Sequence, residues 1–132
     1  MATHCRVFYV EDDLSITTVM RQMVDVIMEA DVARRTEVRF FGSADAAMME
    51  AVLSGTWPDA VVSDEGLPGT SGSAMLQAWR EADWRGKFLL CSGGYSPLDG
   101  VRLLELQADF MLKNNPVAVA RWVNAKAKEH LR

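Results

Sequence analysis

Five short apolar, β-rich runs recur along this chain of 132 residues, and a segment whose apolar side chains fall at helical spacing follows each of them. Strands separated by helices are joined by crossovers rather than hairpins, which implies a parallel sheet covered on both faces. The runs are predicted at 6–10, 38–41, 59–63, 87–91 and 108–112. A first helix is predicted over 14–29, with Ile16, Val19, Met20, Met23 and Ile27 as its apolar stripe and Asp13 as its cap. Further helices are predicted over 43–53 with a stop at Gly55, over 71–82, over 97–106, and from Asn115-Pro116 to about 131. The unbroken apolar character of 59–63 suits a strand buried on both sides.

Hydrophobic residues make up 49% and charged residues 24%, which fits one globular domain over 1–132 and excludes a mainly disordered chain. A formal net charge of -4 argues against direct nucleic-acid binding by this chain alone. No stretch approaches the ~20 apolar residues of a membrane span. Residues 1–6 lead straight into a strand without a signal-peptide core, so a soluble cytoplasmic protein is expected. Cys5 and Cys91 fall in the first and fourth runs, and with a strand between them they are too far apart for a disulfide. Both read as buried thiols.

Four of the five runs end in residues that can touch a phosphoryl group or a metal. Val10 is followed by Glu11-Asp12-Asp13, Ser63 by Asp64, Cys91 by Ser92, and Leu112 by Lys113. In an open parallel sheet the ligand crevice lies at the carboxyl ends of the strands, so these residues are expected to meet. Clustered carboxylates are hard oxygen donors suited to Mg²⁺ or Mn²⁺.

The segments Val10-Glu11-Asp12-Asp13, 58–64, Leu67-Pro68-Gly69-Thr70-Ser71-Gly72, Leu90-Cys91-Ser92-Gly93 and 108–113 together resemble the receiver domain of two-component response regulators, over essentially the whole chain. The resemblance implies a doubly wound, flavodoxin-like α/β fold with strand order 2-1-3-4-5 and five helices. It implies a phosphorylation-dependent switch in which Asp64 takes a phosphoryl group from a sensor histidine kinase or phosphotransfer protein. Asp12, Asp64 and the Gly66 carbonyl would ligate Mg²⁺ or Mn²⁺ directly, with Glu11 acting largely through water and Asp13 left as a helix cap. Lys113 would pair with Asp64 in the empty site and with a phosphoryl oxygen in the loaded one. Ser92 and Phe110 would form the moving switch, read out on the fourth predicted helix, the fifth strand and the last helix. That surface would engage a downstream effector or an output domain absent from this chain, and dimerisation through it is a family habit. The protein would catalyse its own loading and act on no outside substrate.

Two rival readings are a metal-dependent phosphohydrolase with an aspartate nucleophile, and a receiver that acts unphosphorylated as a binding module. The chain departs from the family pattern at Lys113-Asn114-Asn115-Pro116, where receivers commonly place proline next to the lysine, so a trans Lys113–Asn114 bond is predicted. Gly93-Gly94 loosens the loop after Ser92, and Gly66 leaves no side chain over the acceptor. Of the four tryptophans, Trp79 and Trp122 are expected at the core edge, with Trp57 and Trp84 partly exposed. Arg121, Lys126, Lys128 and Arg132 are expected on a solvated face of the last helix.

Overall fold

A computed structural model describes residues 2–132. Its sheet is all parallel and runs in the order β2-β1-β3-β4-β5, from β1 (Cys5–Val10), β2 (Thr36–Phe41), β3 (Ala60–Asp64), β4 (Lys87–Ser92) and β5 (Ala108–Leu112). The described residues form six helices, α1 (Leu14–Ile27), α2 (Ala30–Arg34), α3 (Ala44–Ser54), α4 (Gly72–Glu81), α5 (Gly100–Glu105) and α6 (Pro116–Leu131). The architecture is the doubly wound, flavodoxin-like one expected, with one helix more than the five foreseen.

The additional helix is α2. Met28 and Glu29 adopt extended backbone, which ends α1 before residue 29 and lets the chain restart with Asp31 in the first turn and Arg34 in the last. Buried Val32 anchors it. Five residues are too few for a periodic signature, so nothing in the spacing announces it. The fourth predicted helix, 97–106, is shortened to α5, because Asp99 accepts a hydrogen bond from the Arg102 amide at 2.7 Å and caps the helix there. The apolar stripe of α1 is also offset from the predicted one. Thr17, Met20 and Val24 are its buried residues, Ile16, Met23 and Ile27 only border the core, and Val19 is 43% exposed.

The two faces of the sheet build two cores with the period of two that strands impose. Val7, Tyr9, Val62, Leu89 and Cys91 turn toward α1 and α6, where Met20, Val24, Val119 and Val123 meet them. Phe8, Val10, Val61, Phe88 and Leu90 turn toward α3 and α4, against Ala47, Ala51, Leu76 and Trp79. Trp79 sits deep in this second core rather than at its edge, in T-shaped contact with Trp57 and Trp84. Trp84, expected to be partly exposed, is buried because its indole NH donates to the Pro58 carbonyl at 2.8 Å. Arg80 is buried without a carboxylate. Its guanidinium donates to the carbonyls of Leu106, Trp84 and Gln107, tying the end of α4 to the corner between α5 and β5.

Cys5 and Cys91 are free and buried, with β3 between their strands. Burial pushes both thiols up to about 12. Among the described residues no peptide bond is cis, Lys113–Asn114 included, and no helix is long and apolar enough to cross a membrane.

Candidate functional site

The same alternation that sorts the core sorts the site. Asp64 ends β3 two residues beyond Val62 and beside Cys91, and Glu11 follows β1 two residues beyond Tyr9, so both carboxylates stand on the α1/α6 side of the sheet. Register does the rest: Val10 pairs with Ser63, which brings the next residues, Glu11 and Asp64, level with each other. Lys113 follows β5, and its amide donates to the Ser92 carbonyl at 2.9 Å, prolonging the sheet to the edge of the site.

Lys113 Nζ bridges the two acids, 3.0 Å from Glu11 Oε1 and 3.0 Å from Asp64 Oδ2. Both carboxylates are buried, with Glu11 4% and Asp64 5% exposed, so the ammonium offsets charges that little water reaches. Burial pushes the Glu11 carboxyl up from its ordinary value, while the Asp13 amide on Oε2 and the Lys113 ammonium hold it down. Burial also works against the Lys113 ammonium, but hydrogen bonds and charge from Asp64 and Glu11 outweigh it and raise that group. The bridge to Glu11 is an addition to the expected Lys113–Asp64 pair. The sequence offered no means to rank Glu11 against Asp12 as the lysine's second partner.

Asp12 is exposed and Asp13 takes the capping role. Asp13 Oδ1 accepts from the Ser15 amide at 2.9 Å, the Ser15 hydroxyl at 2.6 Å and the Ile16 amide at 3.4 Å, and the Ser15 bonds hold its carboxyl below the usual range. Glu11, Asp12 and Asp64 each offer a carboxylate oxygen, and these oxygens lie within 4.8 Å of one another. Three anionic oxygens at that separation, with solvent access on the Asp12 side, fit a small hard cation that keeps some of its waters. Gly66 borders the same carboxylate, since a Cβ placed there would lie 3.8 Å from Asp64 Oδ2.

Ser92 and Phe110 stand apart from this group. The Ser92 hydroxyl accepts from the Gly94 amide at 3.3 Å and makes no hydrogen bond to Asp64 or Lys113 among the described residues. Phe110 is half-buried and packs on the α3/α4 core. The even-numbered positions of β4 and β5 face that core, which is why these two side chains share one face of the sheet while that of Lys113 lies on the other.

One participant escaped the sequence reading. Glu65, directly after Asp64, accepts from the Ser73 amide at 2.7 Å and the Ser73 hydroxyl at 2.9 Å, clasping the first turn of α4. A partner eight residues away across a glycine- and proline-containing loop leaves no periodic signal.

No protein-family model and no curated protein sequence matches the chain. Solved structures do match it. A signal receiver domain from Vibrio parahaemolyticus superposes with a TM-score of 0.77 at 22% identity, over 96% of this chain and 92% of that one. A CheY-like response regulator receiver domain protein from Methanospirillum hungatei gives 0.73 at 20% identity, over 96% and 95%. The BeF3-activated N-terminal receiver domain of RstA from Klebsiella pneumoniae gives 0.68 at 26% identity, over 96% and 98%. By sheet order, crossovers and superposition alike, this chain folds as a CheY-like response regulator receiver domain.

Proposed function

We propose that the protein is a phosphorylation-dependent signalling switch whose acceptor is Asp64, loaded by a sensor histidine kinase or phosphotransfer protein. The observation that carries this reading is the buried Glu11–Lys113–Asp64 bridge at the carboxyl ends of the strands, with Asp12 at its open side. In the transfer, an Asp64 carboxylate oxygen forms a bond to phosphorus as the phosphorus–nitrogen bond of a phosphohistidine breaks, and the imidazole departs with the bonding pair. Repulsion between an anionic nucleophile and an anionic phosphoryl group is the main obstacle. Mg²⁺ or Mn²⁺ held by Glu11, Asp12, Asp64 and the Gly66 carbonyl would neutralise that charge. Lys113 is already within hydrogen-bond reach of Asp64 and can follow the charge onto the transferred group without leaving Glu11.

Ser92 supports the second half of the reading. Its single bond to the Gly94 amide is long, and the loop it caps contains two adjacent glycines, so turning the hydroxyl toward a phosphoryl oxygen breaks little. The space this leaves would let Phe110 move, altering the face of α5, β5 and α6 that an effector or output domain reads. Phe110 has no hydroxyl, so the coupling runs through packing. Incubation with phosphoramidate and MgCl₂ tests the proposal. The intact mass should gain one phosphoryl group that maps to the peptide holding Asp64, and labelling that persists in Asp64→Asn would refute the assignment. Turnover of a generic phosphate ester would instead favour the phosphohydrolase.

A further inference from the structure

We propose that Glu65 is a positioning residue for the metal side of the site, holding the Gly66 carbonyl in place by clamping the loop between β3 and α4 onto the first turn of α4. The proposal deepens the function just given and rests on it. Successive residues of an extended strand point to opposite faces, so Asp64 turns to Glu11 and Lys113 on the α1/α6 side while Glu65 turns to α4. Every polar group of Glu65 is engaged. Its amide donates to the Cys91 carbonyl at 2.8 Å, its carbonyl accepts from the Leu67 amide at 3.0 Å and the Gly72 amide at 3.2 Å, and its two carboxylate oxygens take the Ser73 amide and hydroxyl. Gly66 therefore hangs between a residue pinned to strand and helix at once and Leu67, which is buried in the α3/α4 core.

The helix can come this close only because its first residue is glycine. A Cβ on Gly72 would press on the Asp64 carbonyl, and would lie 2.9 Å from Leu90 Cδ1 and 2.9 Å from Ser63 Oγ. Charge argues in the same direction. A free Glu65 carboxylate beside Glu11, Asp12 and Asp64 would add repulsion to a site meant for an anion, whereas on the first turn of α4 it faces the positive end of the helix dipole. Ser71 already caps that helix through the Ala74 amide at 3.2 Å, so Glu65 is not needed as the N-cap.

The test follows the backbone amides of residues 64–67 by NMR as MgCl₂ is added. Removing a group that orients a metal ligand typically weakens the metal about tenfold or more, so Glu65→Ala should raise the half-saturating Mg²⁺ concentration by about tenfold. Glu65→Gln keeps an acceptor for the Ser73 amide and should stay within about threefold of wild type, because geometry rather than charge is what it supplies. Ser71→Ala loosens the same helix, giving up the cap on the Ala74 amide and a 3.4 Å contact to the Ser73 hydroxyl while keeping both Glu65–Ser73 bonds, and should leave Mg²⁺ binding nearly unchanged. Equal weakening by Glu65→Ala and Ser71→Ala would reduce Glu65 to a helix-stability residue and overturn the proposal. So would Glu65→Ala binding as wild type does, or Glu65→Gln as poor as Glu65→Ala. Wild-type protein whose amides ignore Mg²⁺ altogether would fell the underlying reading of the site, and this one with it.

Discussion

The two sides of the site are built to different standards. Toward β1 and β3, Glu11 and Asp64 are buried, Lys113 joins them, Glu65 locks the next loop, and β3 is buried along its whole length. Toward the α5 edge, residues 93–95 are exposed glycines and a tyrosine, Tyr95 is 97% exposed, and α5 contributes no buried residue of its own. Local hydrogen bonds there join Ser96 with Leu98 and Asp99 with Arg102, and the α5 side chain of Arg102 reaches α4 by donating to the Gln77 side-chain carbonyl at 3.2 Å. A nucleophile and its counter-ion need fixed positions, because small displacements cost large factors in rate. A surface that must take two arrangements needs the opposite, few buried contacts and a small free-energy gap. The proposed chemistry and the proposed output thus fall on the sides whose packing suits each.

The strongest way to break this contrast is to compare single substitutions on its two sides. Lys113→Met removes the ammonium that touches Asp64, and phosphorylation by phosphoramidate should slow by about 10²–10³-fold, as when a preorganised charge-stabilising donor is lost. Leu104→Ala alters an exposed side chain of α5 and should change the same rate by less than about twofold. Comparable losses would show that loading depends on the α5 side as much as on the acid cluster.

A second test holds the chemistry of the substitution constant and moves it across the molecule. Gly72 and Gly100 are each the first residue of a helix, behind the caps Ser71 and Asp99. Gly72→Ala forces a Cβ against the Asp64 carbonyl and Leu90, and should destabilise by about 1–3 kcal/mol. Gly100→Ala meets nothing within 4 Å, and should stabilise by about 0.4–1 kcal/mol by restricting the unfolded chain. Urea midpoints of the two variants measure both. Destabilisation by both would mean that the α5 side is packed more tightly than its exposure indicates, and stabilisation by both that the close approach at Gly72 relaxes without cost.

How much of this was readable beforehand divides along the same line. The parallel sheet and the meeting of Glu11, Asp12, Asp64 and Lys113 followed from apolar runs ending in polar residues, because a buried parallel strand writes its identity into every position, whereas the strand order was implied by the resemblance to receiver domains. α2 and the shortened α5 did not follow, because five or six residues that bury one side chain or none leave no period to detect. Glu65 went unread for a different reason. Among the described residues its carboxylate bonds only Ser73, eight residues along the chain, and neither residue is unusual alone. Trp84 was misjudged because its burial depends on the distant Pro58 carbonyl, which no local pattern encodes.

The smallest expected effect concerns pH and the brace behind the stiff side. Glu29 accepts from Lys128 at 3.2 Å and from Asn124 at 3.4 Å, while its amide donates to Asn124 at 3.0 Å, fastening the end of α1 to α6. Hydrogen bonds from Lys128 and Asn124 hold its carboxyl below the ordinary 4.5. The unfolded chain therefore binds a proton more readily there, so the stabilisation is complete above that ordinary value and is lost as pH falls through the folded one. Glu11 runs the other way. Its raised carboxyl favours the folded state below 4.5 and gives that advantage up as pH rises through its folded value. Glu29→Gln should accordingly lie slightly below wild type near neutrality and converge with it in acid, whereas Glu11→Gln should gain on wild type as pH rises. Because Glu29 is open to solvent its difference will be small and will shrink with salt. Amide exchange localises it: Glu29→Gln should quicken exchange at the end of α1 and leave α5 as it was. Faster exchange in α5 would mean that the brace holds the loose side as well, and the division between the two would have to be redrawn.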